Sequence, residues 1–459
     1  MPRRTLARSL PFFFALLPAC SGSTSSTPAT DAAPDTAPTS DATSTDVAAD
    51  LGVTDAPVVS DAPWTDGGAL DGSADAVADA STDRGTADAG AACVLTRALV
   101  TTSDYTVGGF AVGPLGPVPA LTVSGMMSPD QDHAPVQSGC VVYNLLRGDD
   151  ALAVLDTANL PSAARTIPLR VASDAGADAA AMRYAVNPYD VLTLDVDRAL
   201  VVQYQLPRIA VVDPTRGGAA AVTGSVDLSP LRETADTDGA PEAMAIRRAG
   251  AYVFVGLQNL LAYTPVTNGT VAVLSASDLS IVDADRATAG PQAIRLGGRN
   301  PVSMVTTPAG TSLVVAEAGV VAFSPPQALD GRIERIDAAT LQITGTPVTE
   351  TALGGDVGDV VMFDEHHGWA LVSRLAVGDA GLPDSRIVSF DLVDGSVGAT
   401  PIATGDALAG LARDPNGNVW VLDRSSATPG VRVLRPDGSA LTTMTLATGR
   451  PPTGVAFVP

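Results

Sequence analysis

Six short apolar runs recur along the chain at intervals of about 50 to 60 residues: 140–143 (Cys-Val-Val-Tyr), 199–202 (Ala-Leu-Val-Val), 251–254 (Ala-Tyr-Val-Phe), 312–315 (Ser-Leu-Val-Val), 369–372 (Trp-Ala-Leu-Val) and 419–422 (Val-Trp-Val-Leu). Each is followed by a companion run closing on Asp or another polar residue, at 152–156, 209–213, 271–275, 333–337, 387–391 and 431–435. The runs are short, rich in Val, Leu and Ile, and bounded by Gly, Asp-Gly and Pro, which reads as strands joined by tight turns. A unit repeated at such a period cannot bury its apolar surfaces alone, so the units must pack on one another.

The period exceeds the ~40 to 50 residues of WD40 and kelch blades by little more than added loops, and a four-stranded unit fits it. Radial packing of such units buries both faces of each and leaves only short edges. The ring also has a way to close. Residues 453–458 look like a first strand without successors, and 97–101, 109–112 and 120–124 look like a blade lacking its first strand. The expected fold is therefore all-β: a β-propeller of seven four-stranded blades over 93–459, the last blade shared between the two ends of the domain. Tandem β-sandwiches and a β-solenoid compete with it, but sandwiches rarely repeat a whole four-strand unit six times and solenoid coils are shorter and more regular. The 44 Gly and 35 Pro, with only 4% aromatic residues, suit many strands and turns better than long helices.

The first 92 residues have a different texture. Arg3, Arg4 and Arg8 precede a short apolar stretch, 10–17, that ends in Leu17-Pro18-Ala19-Cys20. This is the pattern of a secretory signal over 1–19, too short to span a bilayer. The final four residues resemble the bacterial lipobox, which implies lipidation of Cys20; Pro18 departs from the usual small residue and keeps ordinary signal-peptidase cleavage open. From 21 to 92 the chain is mostly Ala, Asp, Thr, Ser, Gly and Pro, with 13 Asp against one Arg, Arg84. Without hydrophobic period and self-repelling, it reads as a disordered tether over 20–92. Three cysteines are present. If Cys20 carries lipid, Cys93 and Cys140 remain to pair as a disulfide in an oxidising compartment.

The Pro-led first strands, the second strands and the third strands of the form Val-x-Val-(Leu/Ile)-Asp resemble those of YVTN- and NHL-type propellers over roughly 93–459. More narrowly, Asn187-Pro188-Tyr189-Asp190, Val226-Asp227-Leu228-Ser229-Pro230 and Asp238-Gly239-Ala240-Pro241-Glu242 resemble motifs of uncharacterised surface lipoproteins of myxobacteria and related deltaproteobacteria. That resemblance implies export and a lipid anchor in the outer membrane or at the cell surface. It implies no reaction.

The chemistry-bearing residues are sparse. Net charge is −23 and all 27 basic residues are arginine, so the basic stripe that nucleic acid requires, the P-loop lysine and Schiff-base chemistry are absent. No G-x-S-x-G elbow or H-E-x-x-H helix occurs. Of the three histidines, His366 and His367 fall in a turn and diverge, and His133 reads as an exposed side chain in an acidic loop. Arg147-Gly148-Asp149 spells an adhesion tripeptide but opens an ordinary hairpin loop. No residue is assigned a catalytic role or a metal.

In a propeller the second-to-third strand loops and the blade linkers share one face, and the long insertions at 260–270, 319–331 and 375–385 are of that kind. The candidate binding face comprises Gln203, Tyr204, Tyr263, Asn268, Phe323, Asp379, Asp384 and Arg424 from those loops, with Asn187, Asp190, Asp238, Glu242, Arg299 and Asn300 from the linkers. Asn, Asp and Pro are also what turns require. The first functional reading is a monomeric, non-enzymatic binding or scaffold module for a protein, glycan or cell-wall partner, touching the membrane only through its lipid and needing no cofactor. The second is a metal-dependent lactonase- or lyase-type enzyme holding Ca2+ or Mg2+ through Asp190, Glu242, Asn300 and Asp359. A quinoprotein reading needs a Trp-rich pattern in every blade, and only Trp64, Trp369 and Trp420 exist.

Overall fold

A computed structural model describes residues 93–170, 184–321, 327–375 and 383–459. The expected signal segment, Cys20, the tether, Phe323 and Asp379 lie outside the described residues.

The second strands explain why the sequence repeats as it does. In β9 (Arg198–Gln203), Ala199 and Val201 point to one side of the sheet and Leu200 and Val202 to the other, and all four are buried. In β19 (Ser312–Glu317), Leu313 and Val315 face one neighbour and Val314 and Ala316 the next. A strand buried on both faces has no polar alternation, so it appears as a continuous apolar run. Each run is the middle of a sheet sandwiched between two others.

Among the described residues the chain forms seven four-stranded antiparallel sheets. Blade 1 is β4 (His133–Ser138), β5 (Val141–Leu146), β6 (Ala151–Leu155) and β7 (Ala163–Pro168). Blade 2 is β8 (Pro188–Asp195), β9, β10 (Arg208–Val212) and β11 (Val222–Asp227). Blade 3 is β12 (Ala243–Ala249), β13 (Tyr252–Leu257), β16 (Thr270–Ser275) and β17 (Ile294–Arg295), with the small hairpin β14 (Leu260–Leu261) and β15 (Thr264–Pro265) inserted. Blade 4 is β18 (Pro301–Thr306), β19, β20 (Arg332–Asp337) and β21 (Gln342–Thr349); a four-residue helix, α1 (Glu350–Leu353), leads to blade 5. Blade 5 is β22 (Asp356–Met362), β23 (His367–Leu375), β24 (Pro383–Asp391) and β25 (Ala403–Gly405). Blade 6 is β26 (Leu408–Arg413), β27 (Val419–Asp423), β28 (Gly430–Leu434) and β29 (Leu446–Ala447).

The seventh blade is built from both ends of the domain, as expected. Its inner strand is β30 (Pro452–Val458), paired antiparallel with β1 (Arg97–Ser103), followed by β2 (Gly108–Pro114) and β3 (Thr122–Met127). Every inner strand touches the next, β30 touching both β26 and β4, so the ring closes. The core is accordingly seven separate apolar clusters, each between two neighbouring blades. The interface of blades 6 and 7 buries Trp420 against Phe457, ring centroids 5.7 Å apart at 70°.

The Asp that ends many third strands has a local cause. Asp156, Asp213, Asp337 and Asp391 each accept the backbone N–H two residues on, at 2.7–3.1 Å, which starts the turn to the outer strand. One expectation is overturned. His133 is not an exposed loop residue but the first residue of β4, 1% exposed, its Nε2 3.1 Å from the Thr102 carbonyl and its ring edge-on to Phe110. Pairing of β4 with β5 and packing against blade 7 draw it inside.

Closure by β30 gives a direct prediction. Phe457→Ala removes a fully buried ring and should destabilise the chain by about 3–5 kcal/mol in a urea titration. Removing residues 452–459 should abolish the cooperative transition.

Candidate functional site

All inner strands begin at the same end of the ring, where the blade linkers enter and the second-to-third strand loops turn. Three linkers arrive in the same conformation: Asn187, Glu242 and Asn300, one residue before β8, β12 and β18, have φ of 50°, 44° and 53°. Asn tolerates this left-handed region better than most side chains, which accounts for two of the three. Next comes a register shift against the second strand, at Pro188/Asp190, Ala243/Ala245, Pro301/Ser303, Val357/Asp359 and Leu408/Gly410. Such a bulge re-aims the following side chain.

Two of the re-aimed residues were candidate ligands, and both are committed to the scaffold. Asp190, 2% exposed, accepts the N–H of Val191 (2.8 Å) and, from blade 3, the N–H of Ile246 (2.9 Å) and the Arg247 guanidinium. Asp359, also 2% exposed, accepts Val360 N (2.8 Å), the Ser303 hydroxyl of blade 4 (2.8 Å) and Leu411 N of blade 6 (2.7 Å). Among the described residues no group of three or more His, Cys, Asp or Glu is placed to hold a metal ion, so Asp190, Glu242 and Asp359 do not form one.

Other candidates join a relay that crosses four blades. Arg147 of blade 1 lies 4.1 Å over the Tyr189 ring; Tyr189 stacks on Tyr204 at 4.6 Å and 23°; the Tyr204 hydroxyl donates to Gln258 Oε1 (2.7 Å); and Gln258 Nε2 donates to the Pro301 carbonyl (2.9 Å). Gln203, beside it, accepts Arg208 Nε at 2.7 Å. The buried Arg147 guanidinium is thus part of the scaffold, not a displayed adhesion motif. Tyr189 and Gln258 were not among the expected residues, because their roles depend on contacts between blades that no local pattern records.

Buried acids form the second class of group at this end. Glu242 accepts Leu260 N at 2.7 Å, and desolvation pushes it up to about 8. Glu350 of α1 accepts Gly331 N and Val357 N at 2.8 and 2.9 Å, yet its burial likewise pushes it up to about 8. Desolvation raises Asp356, at the head of β22, to about 7. Glu317 is raised by burial and by the adjoining Glu334. Gly297-Gly298 lies against that pair: a Cβ on Gly297 would sit 2.4 Å from Glu334 Oε1, and one on Gly298 2.4 Å from Glu317 Oε2.

The solvent-facing candidates are fewer. Tyr263 is 75% exposed at the tip of the β14–β15 hairpin. Arg299 and Asp238 are exposed, Asp238 also accepting Ala240 N at 3.0 Å. Half-buried Arg424 donates to the Tyr105 hydroxyl at 3.1 Å and lies over its ring. Asn268 is tied down by its amide to the Leu296 carbonyl (2.9 Å), and Asn300 is buried. Asp384 lies on β24 opposite Arg374. The side chains that reach solvent at this end thus include Tyr105, Tyr263, Arg299, Asp238 and Arg424, over a layer of polar groups already occupied with one another.

No protein-family model matches the chain, and no curated protein matches it by sequence. Solved structures do. A putative 6-phosphogluconolactonase from Bacteroides uniformis superposes with a TM-score of 0.51 at 14% identity, covering 79% of this chain and 99% of the other. A second putative 6-phosphogluconolactonase, from Bacteroides fragilis, gives 0.51 at 13% over 80% and 98%. A functionally unknown protein from Desulfotomaculum acetoxidans gives 0.50 at 12% over 79% and 99%. The chain is a seven-bladed β-propeller. At these identities the likeness concerns the fold alone.

The raised acids set a pH dependence. A carboxyl titrating near 8 in the folded protein and near 4 in the unfolded chain keeps its proton longer when folded, so stability falls as pH rises between those values. Asp156, Asp213, Asp337 and Asp437 are lowered by their turn hydrogen bonds, and their contribution is lost as pH falls below about 4. The urea midpoint should therefore be highest near about pH 5 and decline toward about pH 8.5. Glu242→Gln should flatten the alkaline decline and leave the acid limb in place. A wild-type midpoint that is level from pH 5 to 8.5 would refute this assignment.

Proposed function

We propose that the protein is an exported, lipid-anchored binding module whose loop face, opposite the point of attachment, is left clear for a protein or glycan partner. One geometric observation carries this reading. β1 runs from Arg97, at the end of the ring opposite the long loops, to Ser103 at the loop end, so the chain enters the propeller at the face remote from Tyr105, Tyr263 and Arg299. An anchor at Cys20 and a spacer over 20–92 would then attach at the opposite face and leave the loop face unobstructed. The spacer composition, the Cys20 motif and the scarcity of catalytic pairs support the same reading.

The enzyme alternative is weaker on this molecule's own residues. Asp190 and Asp359 hold neighbouring blades, and a metal would have to displace those bonds. The melting temperature of the full chain should be the same in Ca2+, in Mg2+ and in EDTA. A rise of several degrees with either ion would restore the metal-dependent reading.

Two measurements test the proposal. Cys20→Ser should move the protein from the membrane fraction to the soluble extracytoplasmic fraction. In cells, a photo-crosslinking residue at position 263 or 299 should capture a discrete partner, and the same residue at 394 or 437, in turns of the opposite face, should not. Capture from 394 and 437 with none from 263 and 299 would reverse the assignment of faces.

A further inference from the structure

We propose that Cys93 and Cys140 are joined as a disulfide that ties the entrance of the propeller to the neighbouring blade. Cys93 lies four residues before β1, and Cys140 occupies the turn between β4 and β5, so one belongs to the closing blade and the other to blade 1. Both are at the end of the ring where the chain enters. Both are free thiols in this structure, Cys93 half-buried and Cys140 exposed, and they lie near enough for Cys140 to perturb Cys93. The surroundings hold them there. Arg97 donates through Nε to the Pro459 carbonyl at 3.0 Å and through Nη2 to the Thr157 carbonyl, which fixes the start of β1 to the end of β30 and to blade 1 together. With three cysteines in the chain, this pairing leaves Cys20 as the sole remaining thiol.

The exposed Cys140 is the thiol an oxidant reaches first. A thiol–disulfide oxidoreductase of an extracytoplasmic compartment would form a mixed disulfide with it, and the Cys93 sulfur would displace the oxidoreductase thiol. One sulfur–sulfur bond forms in the protein and one is lost from the oxidant, which takes up the two thiol protons and leaves as a dithiol. Burial, with the neighbouring Cys140, pushes the Cys93 thiol up to about 12, so Cys93 holds its proton and follows Cys140 rather than leading the reaction.

The bond has a mechanical consequence. Tension on a tether attached before Cys93 acts on β1, which is paired with β2 and β30 by backbone hydrogen bonds and pinned at its start by the Arg97 side chain. Pulling from its first residue would unzip those bonds one after another and open the ring at its one non-covalent seam. With Cys93 fixed to Cys140, the load passes into the β4–β5 turn instead, and the seam is spared.

The location of the oxidant rests on the export reading, but the pairing is testable without it. The purified full chain is equilibrated in mildly oxidising glutathione buffer, alkylated, digested and mapped by mass spectrometry. The expected result is a linked Cys93–Cys140 peptide and loss of alkylation at both positions. Adding dithiothreitol should then lower the melting temperature of the wild type by a few degrees and leave that of Cys93→Ser unchanged. Alkylation of both thiols throughout, pairing of either with Cys20, or a wild-type melting temperature indifferent to reduction would overturn the proposal. A bond that forms in buffer but is absent from protein isolated from cells would count against export and not against the pairing.

Discussion

The antiparallel pairing of β1 with β30 is the interaction on which the rest of the structure depends. The other six sheets are each continuous in sequence, whereas the seventh is assembled from segments separated by nearly the whole domain. Its register, Arg97 opposite Val458 and Thr101 opposite Gly454, places Phe457 against Trp420 on one side and Ala456 and Val458 beside Leu99 and Val142 on the other. Two of the seven apolar interfaces therefore exist only when this pairing does. Any blade left without a neighbour would expose a face made of Val, Leu and Ile, so the ring is stable as a whole or hardly at all.

The same economy governs the polar groups. The end of the ring that a ligand would meet is lined with carboxylates, amides and tyrosines, and taken singly they resemble the contents of an active site. Their hydrogen bonds give another account. Asp190 and Asp359 each satisfy a backbone N–H of the following blade, Tyr204 and Gln258 bridge blades 2, 3 and 4, and Glu350 closes the passage from blade 4 to blade 5. A buried donor left unpaired is costly, and inner strands packed side by side rather than hydrogen-bonded to one another leave such donors. The carboxylates answer a need of the fold. What is not committed to holding blades together is the outer layer of loop residues.

The blade pattern was legible in the sequence because a strand buried on both faces leaves a run of apolar residues no other environment requires. The second and third strands, and the shared seventh blade, are found within a few residues of their expected places. The Cys140 run begins one residue late, since Cys140 lies in the turn, and β24 begins at Pro383 rather than near 387 because it continues the long hairpin with β23. The candidate site was legible only as a region. Asp190, Glu242 and Asn300 belong to the loop end as expected, but their burial depends on which neighbouring blade donates to them, and sequence spacing carries no information about that. His133 was misread for the same reason: its partners, Thr102 and Phe110, belong to another blade.

Hydrogen–deuterium exchange, followed by mass spectrometry on the full chain under native conditions, tests closure most directly. If β30 completes the seventh blade, peptides covering 452–458 and 97–103 should be as strongly protected as β9 and β19, and all four should lose protection together as urea is added. Early exchange of 452–458, with blades 1 to 6 still protected, would mean that the ring is held by something other than the β1–β30 pairing, and would contradict the dependence of the whole propeller on that seam.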